Sequence, residues 1–131
     1  SFIHGALPAH GHTEVMPGPT PKPLKARELE TWLSQNTDLT VVDVREEQEL
    51  AIARFPHPVK HLPLSEAQNW MATLNDVLPQ AGPIVVLCHA GIRSWNFGCW
   101  LLEQQPERDV WNLEGGIDAW SVTVDAAVPR Y

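Results

Sequence analysis

The sequence is poor in the features that mark secreted, membrane-spanning or nucleic-acid-binding proteins. It holds 2 cysteines among 131 residues, too few for a disulfide framework, so a reduced cytoplasmic setting is expected. None of its apolar runs approaches the ~18 residues that a membrane span needs, and its amino end does not resemble a signal peptide. Lys and Arg number 9 against 16 Asp and Glu, which gives a formal net charge of −7. Because nucleic acids and anionic membranes bind basic surfaces, neither is expected as a partner.

The chain is nevertheless long and apolar enough for one domain with a sizeable core, since 44% of its residues are hydrophobic. Its first 23 residues carry five of the twelve prolines, three glycines and three histidines, without helical or strand periodicity. We interpret residues 1–23 as an N-terminal arm and residues 24–131 as the folded domain. His4, His10 and His12 lack an accompanying set of cysteine or carboxylate ligands, so a polar tail is favoured over a metal site.

Short strands alternate with helical patterns along the domain. The clearest strands are "TVVDV" from Thr40, "PIVVL" from Pro83 and "DVWNL" from Asp109. A further brief strand is expected between Lys60 and Leu62. Strands and helices that alternate at this spacing are typical of an α/β domain with a mainly parallel sheet.

Three helices are predicted from apolar residues at helical spacing. The first starts near Leu24, and the third, "SWNFGCWLLEQQ", has Ser94 near its start. The second, "SEAQNWMATLNDVL", takes Ser65 as its N-cap. Its buried face is formed by four apolar residues, Trp70, Leu74, Val77 and Leu78.

Two residues with useful chemistry follow or end predicted strands. Asp43 lies near the end of "TVVDV", and Cys88 comes directly after "PIVVL". In open parallel sheets, ligands bind beyond the carboxyl ends of the strands. The sequence therefore predicts a functional site at this edge of the sheet.

The loop "CHAGIR", which starts at Cys88, has the features of an anion cradle. Gly91 permits a positive φ that strains most other residues, so successive N–H groups can turn inward. The helix that follows adds free N–H groups and the positive end of its dipole. Together with nearby Arg93, these favour the thiolate of Cys88, which is the nucleophilic form. A thiolate in an anion cradle suits sulfur transfer, phosphate-ester hydrolysis or arsenate reduction.

Four motifs carry a family resemblance: "VVDVREEQE", "HLPLSE", "IVVLCHAGIRS" and "NLEGGIDAWS". In this order and spacing the sequence resembles the single-domain rhodaneses, which are thiosulfate sulfurtransferases, over residues 24–131. The closing "GGIDAWSVTVDAAVPRY" is similar to stand-alone rhodaneses of the cyanobacterial and plant type. The resemblance implies a rhodanese-like α/β fold, with a mainly parallel central sheet of about five strands flanked by helices on both faces.

The resemblance also implies a double-displacement mechanism. The Cys88 thiolate would take the outer sulfur of thiosulfate or another donor, and the resulting persulfide would pass it to cyanide or a thiol. Related phosphatases and arsenate reductases use one more residue between cysteine and arginine, so the six-residue span here favours sulfur transfer. No metal and no organic cofactor is expected. The substrate cradle would be formed by the five residues after the cysteine, His89, Ala90, Gly91, Ile92 and Arg93.

The charged side chains around the loop leave alternatives open. Arg93 suits either recognition of a substrate anion or a structural salt bridge, because its guanidinium binds in a bidentate manner in both roles. His89 stands where many rhodaneses carry a basic residue, which implies weaker, pH-dependent recruitment of thiosulfate. A solvent-facing loop residue is the favoured interpretation of His89. We assign Asp43, Arg45 and Ser94 to support of the loop.

Two further expectations concern the acidic residues and the function. Glu46, Glu47 and Glu49 are interpreted as a solvated helix face, with one of them available to pair with Arg45. The alternative function is a non-catalytic or protein-bound sulfur-relay module, which takes its sulfur from a protein donor. A phosphatase or arsenate reductase is less favoured.

Overall fold

The computed structural model describes residues 18–35 and 38–131, and it contains one parallel sheet. The strands are β1 Lys22–Leu24, β2 Thr40–Asp43, β3 Lys60–His61, β4 Ile84–Leu87 and β5 Val110–Leu113. They form a five-stranded sheet in the order β1-β5-β4-β2-β3, in which every neighbouring pair is parallel. The predicted α/β class with a parallel sheet of five strands is confirmed.

Helices cover both faces of the sheet. They are α1 Ala26–Ser34, α2 Glu47–Ile52, α3 Ala67–Trp70, α4 Leu74–Val77, α5 Ile92–Gln104 and α6 Gly116–Thr123. One core cluster lies under α3, α4 and α5, and a second lies under α1 and α6. Among the helices of the described residues, none combines the length and the apolar character needed to cross a bilayer.

The central strand β4 shows why its sequence is a continuous apolar run. Ile84 and Val86 belong to the cluster under α5, whereas Val85 and Leu87 belong to the cluster under α1 and α6. Successive side chains of a strand point to opposite faces, so a strand covered on both faces needs an apolar residue at every position. Cys88 continues this alternation and belongs to the α5 side.

The helix predicted to start at Ser65 is wrong in its start and in its continuity. Two 3₁₀ turns, Leu64–Glu66 and Met71–Thr73, alternate here with the short helices α3 and α4. Ser65 does not act as an N-cap, because its hydroxyl donates to the carboxylate of Glu46. The predicted apolar face is nevertheless confirmed, because Trp70, Leu74 and Leu78 are buried and Val77 packs against them.

The sheet begins two residues before the boundary that we predicted for the folded domain. Lys22 and Leu24 pair with β5, so β1 is an edge strand that includes the end of the proposed arm. Pro23 conceals this strand in the sequence, because proline lacks the N–H that a central strand needs and is tolerated at an edge. His4, His10 and His12 lie outside the described residues.

Candidate active site

The candidate site lies where β2 and β4 end side by side. Asp43 and Leu87, the last residues of these strands, are direct partners in the parallel register. Cys88 follows β4 immediately, and α5 starts at Ile92. The helix therefore begins two residues earlier than its sequence pattern indicated, and the link from strand to helix is correspondingly tight.

Gly91 makes the tight link possible. Its φ is 104°, which lies in the left-handed region, so the predicted positive φ is confirmed. A Cβ at this position would also lie 3.3 Å from the amide nitrogen of Gly115. Glycine is thus required both by the backbone conformation and by the close approach of the next loop.

The Cys88 sulfur lies within hydrogen-bonding distance of two backbone amide donors and next to the hydroxyl oxygen of Ser94. Sγ is 3.1 Å from the amide nitrogen of Gly91, 3.4 Å from that of Ser94 and 3.3 Å from Ser94 Oγ. Amide N–H groups placed in this way can hold negative charge that develops on the sulfur during a reaction. Cys88 as a whole is only 1% exposed, so its sulfur faces the turn rather than open solvent. Cys88 and Cys99 are both free thiols.

Asn112, on β5, holds the turn from the other side, and sequence reasoning missed it. Its Oδ1 accepts a hydrogen bond of 2.5 Å from Ser94 Oγ, and its Nδ2 donates to the Gly91 carbonyl at 3.1 Å. Asn112 is buried, so these bonds are made away from water. A polar residue inside the otherwise apolar strand "VWNL" is the signal that could have found it.

The start of α6 binds the carbonyl groups of the cysteine turn. The amide nitrogens of Ile117 and Asp118 donate to the carbonyls of Cys88 and His89, at 2.9 and 3.1 Å. This contact brings Gly116 so close that a Cβ there would lie 2.3 Å from the His89 oxygen. The turn is therefore fixed from both sides, by Asn112 and by α6.

Asp43 and Arg45 form a fully buried ion pair beside the turn. Arg45 Nη2 donates to Asp43 Oδ2 at 2.8 Å, and Arg45 Nε donates to Oδ1 at 3.0 Å. Both side chains are 0% exposed. His61 adds a hydrogen bond of 2.7 Å from its Nε2 to the Arg45 carbonyl. A buried pair that is hydrogen-bonded this completely is suited to holding the ends of β2 and β3 in place.

Arg93 is paired with Glu49 on α2. Its Nη1 and Nη2 donate to Glu49 Oε1 and Oε2, each at 2.8 Å. These bonds hold the pKa of Glu49 at about 2, well below its ordinary value, and raise that of Arg93. Of the two roles left open for Arg93, the structure contains the salt bridge. The assignment of Glu49 to a solvated face is wrong, because its side chain is 17% exposed and faces Arg93.

Tyr131 completes this side of the site, and nothing in the sequence pointed to it. Its ring stacks on His89, with centroids 4.2 Å apart and an interplanar angle of 15°. Its hydroxyl donates to Glu49 Oε2 at 2.9 Å and accepts from Arg45 Nη1 at 3.1 Å. Burial raises the pKa of Tyr131, so the phenol keeps the proton that it donates. His89 is therefore covered on one ring face instead of standing free in solvent.

The five residues predicted as a cradle differ in their surroundings. Gly91 is buried and bonds the sulfur, whereas Ala90 is exposed. Ile92 is 72% exposed, in the first turn of α5. His89 and Arg93 are half-buried and engaged with Tyr131 and Glu49. The sulfur-binding amides are those of Gly91 and Ser94, so Ser94 contacts the sulfur directly in addition to its predicted supporting position.

Comparisons with known proteins agree on one family. The family model described as "Rhodanese-like domain" matches residues 25–123. Rhodanese-like/PpiC domain-containing protein 12, chloroplastic, from Arabidopsis thaliana is 36% identical over 91 residues, which are 70% of this chain. The putative sulfurtransferase YtwF from Bacillus subtilis is 31% identical over 99 residues, which are 76% of this chain.

A solved structure shares the fold of this chain, and the two relatives differ in how much of their length the match covers. The crystal structure of a rhodanese-like domain protein from Staphylococcus aureus superposes with a TM-score of 0.61 at 23% identity, covering 84% of this chain and 98% of its own. That likeness shows a shared fold. The match spans 89% of YtwF but only 30% of the Arabidopsis protein.

Proposed function

Because the chain belongs to the rhodanese-like domain family, we propose that it is a sulfurtransferase that carries sulfur on Cys88 as a persulfide. The observation that carries this proposal is the pair of backbone amide donors at the Cys88 sulfur, those of Gly91 and Ser94. Such donors can stabilise negative charge on a reacting sulfur even in a chain whose net charge is −7. The name of the putative sulfurtransferase YtwF supports the same activity.

The first step loads the enzyme. The Cys88 thiolate attacks the outer sulfur of the donor and forms a new bond between Sγ and that sulfur. The bond between the outer sulfur and the rest of the donor breaks, and its electron pair leaves with the leaving group, which is sulfite when the donor is thiosulfate. The terminal sulfur of the persulfide then carries the negative charge. The amides of Gly91 and Ser94, which lie 3.1 and 3.4 Å from Sγ, stabilise negative charge on the sulfur that Cys88 contributes.

The second step unloads the enzyme. A thiophilic acceptor, cyanide or a thiol, attacks the terminal sulfur and forms a bond to it. The persulfide S–S bond breaks, and its electron pair returns to Cys88 as the thiolate. With cyanide the product is thiocyanate, and the charges balance without any redox partner, metal or organic cofactor.

The two free thiols favour a reducing compartment such as the cytoplasm.

The proposal is tested by replacing each of the two cysteines with serine and measuring sulfur transfer. Cys88→Ser should abolish thiosulfate:cyanide sulfur transfer, because a serine hydroxyl forms no persulfide. Cys99→Ser is the matched control, and it should keep wild-type turnover because Cys99 lies about two helical turns beyond the start of α5. Substantial turnover in Cys88→Ser would refute the proposal.

A second candidate function, a relay that takes sulfur from a persulfide of low charge, is favoured by the charge balance at the site. Glu49 compensates the charge of Arg93, and Asp43 compensates that of Arg45. Neither guanidinium therefore offers an unpaired charge to a dianion such as thiosulfate. In this case the wild type should show a very high KM for thiosulfate but accept sulfur readily from cysteine persulfide.

Neutralising Glu49 separates the two candidates. In a relay, Glu49→Gln should lower the KM for thiosulfate about three- to tenfold by freeing Arg93, and the gain should shrink as salt is added. The KM for cysteine persulfide should not change. Glu47→Gln is the control, because Glu47 is exposed on the same helix. A low wild-type KM for thiosulfate that Glu49→Gln leaves unchanged would favour the enzyme that uses free thiosulfate.

A further inference from the structure

The residues after α6 lie beyond the part of the chain that the family model matches, yet they are firmly held. We call residues 124–131 the closing segment. Val128 is 5% exposed in the core, and its carbonyl accepts a hydrogen bond from Ser121 Oγ. Arg130 donates two hydrogen bonds to the carboxylate of Asp118, at 2.8 and 3.1 Å. These contacts place Tyr131 beside the turn that contains Cys88.

Tyr131 reaches from one end of the sulfur cradle to the other. Its ring stacks on His89, the first residue after the cysteine. Its hydroxyl donates to Glu49, the carboxylate that binds Arg93 at the last position of the cradle. The phenol thus bridges the two rims of the turn that contains Cys88, and Cys88 is itself nearly closed off from solvent.

We propose that Tyr131 is a specificity-determining residue whose ring narrows the opening above Cys88 and keeps bulky reagents and acceptors from its sulfur. Acceptors are then selected by their shape. Slender nucleophiles such as cyanide pass the ring, whereas the reaction of broad thiols with the Cys88 sulfur is slowed. The identity of the acceptors rests on the proposed function. The narrowing itself does not, because it concerns access to a thiol.

In this proposal the ring is the barrier, and the hydroxyl only holds the ring in place. The hydroxyl is held between Arg45 and Glu49, so it anchors the far edge of the ring. The stack on His89 holds the near face. Tyr131→Phe keeps the ring and the stack and loses only the two hydrogen bonds, whereas Tyr131→Ala removes the ring. The two variants therefore separate steric exclusion from hydrogen bonding.

The experiment measures alkylation of Cys88 in the full chain by iodoacetamide and by a bulky N-aryl maleimide, with both cysteines followed by mass spectrometry. Tyr131→Ala should raise the maleimide rate at Cys88 by at least about tenfold relative to the iodoacetamide rate. Tyr131→Phe should keep the wild-type ratio within about twofold. Cys99 is the internal reference, and its rates should not change if the variant is folded. Should Tyr131→Ala unfold, Tyr131→Leu takes its place.

Two results would overturn the inference: an unchanged reagent ratio in a folded Tyr131→Ala protein, or the same change in Tyr131→Phe. A second readout compares kcat/KM for cyanide and for glutathione as acceptors, and Tyr131→Ala should favour glutathione selectively. Ala126→Ser, at an exposed position of the closing segment, is the matched control and should leave both ratios unchanged. If no variant transfers sulfur but the alkylation ratio shifts as expected, the proposed function fails while the role of Tyr131 stands.

Discussion

Arg93 and Glu49 face each other through two parallel hydrogen bonds of 2.8 Å, which join the first turn of α5 to α2. They are 44 residues apart in the sequence. The pair closes the rim of the turn that holds Cys88, and Tyr131 binds the same carboxylate. The geometry of the opening therefore depends on a carboxylate outside the cysteine loop.

This pair makes stability depend on acid pH. The pKa of Glu49 is about 2 in the folded protein, below its ordinary value of 4.5, chiefly because Arg93 donates to it. A depressed pKa stabilises the fold above the unfolded value, and that contribution is lost as pH falls from about 4.5 towards 2. Discounted for partial exposure, it should be about 1 to 2 kcal/mol. Urea unfolding of wild type and Glu49→Gln should differ most above pH 5 and converge towards pH 2; a constant difference would contradict the assignment.

Asn112 should be needed for the shape of the cysteine turn. Asn112→Asp removes the Nδ2 donor to the Gly91 carbonyl and directs a negative charge at that oxygen. The loss should be about 2 to 3 kcal/mol in the free energy of unfolding, because a buried acceptor loses its partner. Sulfur transfer should fall at least about tenfold as the Gly91 amide moves away from the sulfur. Asn75→Asp, at an exposed position, serves as the control, and equal effects at both positions would argue against the role of Asn112.

Gly116 tests the contact between α6 and the cysteine turn. In Gly116→Ala, the new Cβ would lie 2.3 Å from the His89 oxygen and 2.5 Å from the Cys88 oxygen, at a φ of +64°. Thermal or urea unfolding should show a loss of about 2 to 5 kcal/mol, from strain and overpacking together. Gly18→Ala is the matched substitution, because its Cβ would meet nothing closer than 3.7 Å. A wild-type stability for Gly116→Ala would show that the contact is not tight.

Local patterns carried the prediction of the sheet and of the cysteine turn. β4 is a short apolar run and β2 is centred on Val41 and Val42, and burial on both faces of a sheet requires such apolar residues. Gly91 indicated a turn with a left-handed residue, because few residues other than glycine adopt that conformation. The segment from Leu64 to Val77 misled, because helical spacing of apolar residues does not show that the backbone alternates between 3₁₀ and α turns.

The parts of the site that were missed depend on distant contacts. Glu49 lies in a run of acidic residues, and a run of like charges does not reveal which member meets an arginine on another helix. Tyr131 reaches Glu49 across 82 residues, so its role depends on the course of the closing segment. Of these missed residues, only Asn112 is recognisable in the sequence, because it is a single polar residue in a buried strand.

The most direct test of the central claim is intact-protein mass spectrometry after exposure to thiosulfate or cysteine persulfide, followed by peptide mapping. The account predicts an adduct about 32 Da heavier, removed by cyanide, on Cys88 in the wild type and in Cys99→Ser. Cys88→Ser should remain unmodified. An adduct confined to Cys99, or no adduct with either donor, would contradict the claim that Cys88 carries the sulfur.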